Sequence, residues 1–461
     1  LAKEKSFCPE LGVVDGFFLG KPPVCLPTKN VPKVRDCSPE NGSPAGFGYI
    51  RILFSKLIRS GSVMQVVEVG ENARYKKEFI QFPVRLYRTD ACWIRPLDAD
   101  VEEVFDPVRN KRFEHGECVR YLLLNDTGET IGRVAAFIDR EIANLDNDQP
   151  TGGLGFFECI DDQAAAFQLF DAGKAWLQSR GMEAMDGPIN FGDRDRWWGL
   201  LVDGFDREPN YCMPYTKPYY IPFFENYGFK DYFKQYTFGI PTTWSKLVDM
   251  SQAVKDRAQR IYQNPDYTFR TIDKKQLPAA AEQFRHIYNA AWGGHSGVKE
   301  MSAAQAQLLM QKLKPVIDEN IIYFAYYHDE PVAFFVCLPE LNQVFKHVNG
   351  KLDLIGKLKF LWHMLRKTNR KAFGVVFGVA PEHQGKGVEA AIALRMPHEA
   401  DNNPNFQYTE LEMNWVGDFN PIMVRFVSQL GSKIVKTHVT YRKLFDETKP
   451  FKRCPVIGRK K

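Results

Sequence analysis

At 461 residues the chain exceeds one ordinary hydrophobic core and fits two domains with attachments. Its 44% hydrophobic and 13% aromatic content describes a filled globular interior, and a net charge of +5 is far from the composition of a nucleic-acid binder. The nine cysteines form no C-x-x-C pair, which argues against a zinc or thioredoxin-like site; no run of about 18 apolar residues predicts a spanning helix.

Residues 1–63 lack helical or strand periodicity and read as an irregular extension outside the fold. Met64 is the first methionine and a candidate start of the natural protein. Within the extension, Tyr49 to Ser60 is a short basic amphipathic piece.

A first lobe is expected over 64–240. Val119 to Arg140 reads as a hairpin around Asn125-Asp126-Thr127-Gly128. A strand over Leu154 to Ile160 follows, then a helix from Ala164 to Arg180 that Gly181 stops. The turn between them carries Glu158, Asp161 and Asp162 and no glycine, so it would repel a diphosphate. Asn190, Asp193, Arg194, Trp197, Tyr215, Tyr219 and Tyr220 lie in loops whose polar and aromatic mixture suits a substrate pocket; a core or lobe-interface role fits them equally.

A second lobe over 241–446 repeats the order. It has amphipathic helices over Leu277 to Trp292 and Ser302 to Ile317, then a hairpin around Asp329-Glu330. A strand over Tyr408 to Val416, a helix over Asn420 to Leu430 and a last strand over Lys433 to Leu444 complete it, before a basic tail over 447–461. The insertion 351–371 spaces Leu354, Ile355, Leu358, Leu361, Trp362 and Leu365 on one helical face and adds seven positive charges against Asp353. That profile suits a helix on an anionic membrane or one packed on the lobe with its lysines in solvent.

The apolar run from Lys371 ends in a turn at Pro381, then Gln384-Gly385-Lys386-Gly387 and an Ala-rich helix start. Two glycines let backbone amides converge on an anion at the positive end of a helix. A nucleotide P-loop is excluded, because Ala380 stands where it needs glycine and Gly387 where it needs Ser or Thr.

This stretch resembles the acetyl-CoA-binding motif of the GNAT acyltransferase superfamily, Gln/Arg-x-x-Gly-x-Gly/Ala, with Gln384 and Gly387 matching and Glu389 departing from the pattern. Glu-Asn-Tyr-Gly-Phe at 225–229 and Asn420 with Gly431 also resemble that family. The resemblance implies an α/β (α+β) fold of two tandem GNAT-like lobes, each a mixed, mostly antiparallel sheet flanked by helices. The layout is similar to that of bacterial ceramide synthase-like N-acyltransferases. Acetyl-CoA or a longer acyl-CoA would be the donor, held in the C-terminal lobe by Phe377, Gly378, Val379, Gln384, Gly385, Lys386, Gly387, Val388, Glu389 and Asn420. The N-terminal lobe would have lost that role.

The family's usual tyrosine acid is replaced by Val427, and by Phe224 in the first lobe, so Tyr441 or His438 is the expected substitute. Glu412 is the expected base and Asn414 a substrate ligand, because alternate strand residues share a face with Glu410. A solvated face for all three is the competing reading. His286, His295 and His383 read as structural, and no spacing predicts a metal. The expected activity is acyl-CoA-dependent N-acylation of an amine, a lipid amine fitting the basic insertion. The location would be cytoplasmic, at the inner membrane face, with no nucleic-acid partner. Two alternatives stay open: a non-catalytic acyl-CoA-binding or membrane-associated regulator, and an aminoacyl transferase of cell-wall peptide synthesis.

Overall fold

The computed structural model describes residues 64–145, 147–292 and 300–457. The expectations for 1–63, the amphipathic piece at Tyr49 to Ser60, His295 and the last four residues of the tail lie outside them.

The first lobe runs β1 (Gln65–Glu68), α1 (Ala73–Leu86), α2 (Asp98–Val104), β2 (Gly116–Leu124), β3 (Thr130–Asp139), β4 (Thr151–Cys159), α3 (Gln163–Gln178), β5 (Ala184–Gly187), β6 (Leu200–Asp203), α4 (Tyr220–Asn226) and β7 (Lys230–Pro241). The second begins with α5 (Gln252–Tyr262), β8 (Tyr267–Thr271), α6 (Leu277–Trp292), α7 (Ala303–Leu313), β9 (Ile322–Tyr327) and β10 (Glu330–Pro339). It continues with α8 (Asn342–Phe345), α9 (Leu354–Leu365), β11 (Lys371–Val379), α10 (Val388–Ala393), α11 (Arg395–Asn402), β12 (Glu410–Gly417), α12 (Pro421–Gln429) and β13 (Lys433–Leu444). Local chemistry sets several boundaries. The Asn125 side chain accepts from Thr127 and Glu129 amides to close the β2–β3 turn. The Asp162 carboxylate accepts from Ala164 and Ala165 amides to start α3. None of the described helices is long and apolar enough to cross a membrane.

Among the described residues the strands form one sheet in the order β1-β2-β3-β4-β5-β13-β7-β12-β11-β10-β9-β8, with β6 also on β13. Each lobe contributes an antiparallel run and one parallel pair, β4 with β5 and β11 with β12. The closing strands are exchanged. The first lobe's β7 pairs with β12, and the second lobe's β13 crosses back to pair with β5. β7 and β13 then pair with each other along most of their length, welding the lobes at the centre.

Two large cores follow from this. In the second lobe, α5, α6, α7 and α10 cover the sheet with Phe284, Phe334 and Val388, each at most 3% exposed. In the first, α3 and α4 bury Phe170, Tyr220 and Phe224, and Tyr441 of β13 joins them. The first lobe therefore borrows part of its core from the last strand of the chain. Expressed alone, residues 64–241 lack β13, leave β5 as an open edge, and are expected to be insoluble. Co-expression with 242–457 should recover a soluble complex. A soluble, monomeric 64–241 fragment on gel filtration would refute this dependence.

Candidate active site

β11 and β12 pair in register only over Lys371–Gly374 with Glu410–Met413. Beyond that β12 follows β7 while β11 continues beside β10 to Val379, so the two parallel strands part. The glycine bend sits at the end of β11. The Gln384 amide donates to Val379 O at 2.9 Å and ties the bend to its strand. Gly387 has φ +109, and a Cβ there would stand 3.0 Å from Arg257 O, because α5 packs against it. Only glycine suits that position. Phe377 meets Phe426 at 5.5 Å, which brings α12, capped by Asn420, over the same strand end. Phe377, Gly378, Val379 and the residues 384–389 are thus brought together. The Val388 side chain, fully buried, belongs to the core.

The Gly385 N–H already donates to the Glu389 carboxylate at 2.7 Å. The side chain that departs from the motif occupies one of the amides a diphosphate would use. In the first lobe, Asp162 takes the corresponding helix-start amides as its cap. Glu158 there turns inward instead, accepting from Tyr87 at 2.6 Å and Tyr220 at 3.0 Å beside Arg133.

Where β11 and β12 begin, a charged cluster is buried between the lobes. Glu412, 0% exposed, accepts from Lys371 at 2.6 Å and Lys436 at 2.7 Å, with Arg207 at 3.3 Å. Burial alone would raise its carboxyl, but Lys436 and then Lys371 outweigh it and hold the group at about 2. That corrects the expectation of a general base: so acidic a carboxyl has almost no affinity for a proton at neutral pH. Glu410 accepts from Arg207 at 2.8 Å and completes the ion-pair network. Asn414 shares that face, as strand alternation predicts, with its Oδ1 3.5 Å from the Asn210 amide. Its Nδ2 is buried and has no hydrogen-bond partner among the described residues.

Glu340, which sequence reasoning missed, lies beside this cluster. Its Oε1 accepts the amides of Tyr211 and Asn342, each at 2.9 Å, while Oε2 is buried without a partner. Burial pushes its carboxyl up to about 7 against the Asn342 amide and Lys371. The available signal was polar residues inside apolar strands, Lys371 and Lys436, which need buried counter-charges.

The exchanged strand overturns two expectations. Tyr441 stands in the first lobe's core, 5.6 Å from Phe224, and burial followed by Glu225 pushes its hydroxyl up. His438 is buried, holds Pro214 O at 3.0 Å, and burial lowers it to about 4. Neither faces the bend on β11. Val427 is core.

The expected substrate residues divide. Trp197 and Tyr215 line a cavity of about 80 Å³ in the first lobe, with Arg133 and Glu158 at its base. Asn190 and Asp193 line a separate cleft of about 480 Å³ that reaches α7. The Arg194 guanidinium lies over Trp198 and Phe233. Tyr219 donates to Cys159 O at 3.0 Å, and Tyr220, fully buried, donates to Glu158 at 3.0 Å, so both hydroxyls are engaged within the fold. His115, Asp139 and Glu141 come within 4.8 Å of one another, but Asp139 is held by Arg112 at 2.9 Å.

No family model matches the chain. It is 28% identical over 399 residues to Protein YghO of Escherichia coli (strain K12), covering 85% of this chain and 98% of the relative. It is 27% identical over 381 residues to a bacterial ceramide synthase of Caulobacter vibrioides, covering 82% and 97%. A tandem GNAT protein from the clavulanic acid biosynthesis pathway superposes with a TM-score of 0.45 at 10% identity, over 83% of this chain and 98% of that one. Both curated relatives align over more than four fifths of this chain and over nearly their whole length.

Glu412→Gln leaves two buried ammonium groups without their counter-ion and is expected to cost about 3–5 kcal/mol. The folded carboxyl, at about 2, lies below its ordinary 4.5, so the stabilisation is complete above about 4.5 and lost as pH falls toward 2. Urea melts across that range should show a flatter pH dependence for Glu412→Gln than for the wild type. Equal slopes would remove the cluster as a source of acid lability.

Proposed function

We propose that the protein is an acyl-CoA-dependent N-acyltransferase whose acceptor is a lipid amine. The observation that carries this reading is the parting of β11 from β12 above a glycine bend, with the unpartnered Asn414 Nδ2 on the wall below. The edge of β11 beyond Gly374 has lost its β12 partner, which leaves backbone groups for an extended thioester arm alongside Phe377–Val379. The bend at 384–387, exposed at Lys386, suits the diphosphate. The relative named as a bacterial ceramide synthase supports a lipid acceptor.

The amine nitrogen attacks the thioester carbonyl, and its proton must go to a base. The tetrahedral oxyanion collapses, the C–S bond breaks, and CoA leaves as the thiol once protonated. Asn414 Nδ2 is the donor we assign to the oxyanion. Glu340 is the base we assign, since its free oxygen and its value of about 7 suit proton transfer near neutrality. Neighbouring residues of one first-lobe loop, Asn210 and Tyr211, hold Asn414 and Glu340.

The bond between Gly385 and Glu389 favours one competing reading, a non-catalytic acyl-CoA-binding protein. Purified protein given acyl-CoAs of graded length and amine pools, with free thiol followed, separates the two. Release that requires both substrates supports the transferase; saturable CoA binding without release supports the alternative. For the transferase, kcat/KM should rise with pH through an inflection near 7 that Glu340→Gln abolishes, with a rate loss of roughly 10²-fold or more. An unchanged profile would remove Glu340. Glu389→Ala frees the Gly385 amide and removes a negative charge, so CoA should bind about fivefold tighter by calorimetry. Weaker or unchanged binding would place the diphosphate elsewhere.

A further inference from the structure

The insertion between β10 and β11 leaves its apolar face uncovered. Leu354, Ile355, Leu358, Leu361, Trp362 and Leu365 of α9 are 52–75% exposed. At about 100° per residue they span an arc of roughly 120°. The opposite face of α9 is the one that packs. Gly356 and Phe360 are buried, Phe360 stacks on Phe345 of α8 at 5.5 Å, and His363 stacks on His347 at 3.9 Å. Asp353 caps the helix by accepting from Gly356 N at 2.8 Å. The helix is therefore fixed by one side with its apolar side turned outward. The helix packs on the lobe through Phe360, and its apolar stripe takes no part in that packing.

Positive charge flanks the stripe on both sides. Lys357 lies beyond one edge of the arc, Lys359 and Arg366 beyond the other, all exposed, with Lys351, Lys367 and Arg370 exposed at the ends. Lys371, counted with them in the sequence, points inward to Glu412 and takes no part. We propose that α9 is a docking helix that lies on an anionic phospholipid surface, its stripe among the acyl chains and its lysines at the headgroups. Charge complementarity selects this occupant. A second copy of the chain would bring the same positive flanks against themselves, and the amphipathic piece at 49–60, with Arg51, Lys56 and Arg59, is equally basic.

Docking needs neither acyl-CoA nor amine, so its test is independent of the transferase reading. Full-length protein is sedimented with vesicles of phosphatidylcholine alone or mixed with phosphatidylglycerol. The wild type should partition onto the mixed vesicles, less so at high salt, and weakly onto the neutral ones. Leu358→Asp with Leu361→Asp should lower partitioning roughly tenfold or more. Lys357→Gln with Lys359→Gln should lower it roughly 25-fold, taking about fivefold per basic residue. Circular dichroism checks that both pairs fold; if the leucine pair does not, the lysine pair and the salt dependence of the wild type decide. Three outcomes would overturn the proposal: no partitioning of the wild type, variants that bind as it does, or a dimer that the leucine pair converts to monomer without any vesicle binding.

Discussion

The structure depends on the pairing of β7 with β13, the two exchanged closing strands. This register sets Lys436 opposite Thr237 and His438 opposite Gln235 in the middle of the sheet. All four are at most 2% exposed. A lysine so placed costs several kcal/mol in lost hydration unless a counter-charge meets it. Glu412 of the adjoining β12 supplies one, and Asn210 and Glu208 O of the covering loop take the remaining ammonium protons at 2.7 and 3.0 Å. Segments from both lobes thus converge on one buried carboxylate, and no lobe can shift without stranding a charge.

The two helix starts that follow the parallel pairs show how the same anion-binding geometry can be closed in different ways. In the first lobe, Asp162 is the N-cap itself, so removing it would also remove the start of α3. In the second, Glu389 reaches back four residues to Gly385 from inside a half-exposed turn. Its carboxylate can swing into solvent without dismantling the helix. The first closure is structural, while the second, under the proposed reading, would compete with a ligand.

What was legible in the sequence was local. The β2–β3 and β9–β10 hairpins, α3, α6 and α12 follow from turn residues and periodicity, as does the common face of Glu410, Glu412 and Asn414. What was not legible depends on partners distant in the chain. Alternation says which residues share a face but not which strand lies alongside. The exchange of β13 therefore carried Tyr441 into the other lobe's core and set Lys436 on the carboxylate read as a base, which Lys371 of β11 also reaches. Helix α1 and strand β1, although regular, went unread because Pro83 and a four-residue strand leave weak patterns. For α9 the amphipathic rhythm was clear, but only packing tells which side of a helix is held.

The same cluster ties the outward helix to the inner wall. Glu340 N–H donates to Lys371 O at 2.9 Å, so the insertion that carries α9 leaves and re-enters the fold at one point. That point is the cluster itself, since Lys371 binds Glu412 and Glu340 is held by Tyr211, next to the residue facing Asn414. A helix packed on this segment through Phe360 on Phe345 and His363 on His347 is tied to the sheet at that junction. A surface that seats α9 would accordingly fix the orientation of the opening between β11 and β12, and an amine carried on that surface would be presented from one direction. Under the proposed reading, the polar junction then does two jobs: it locks the lobes, and it relates the plane of the acceptor to the thioester.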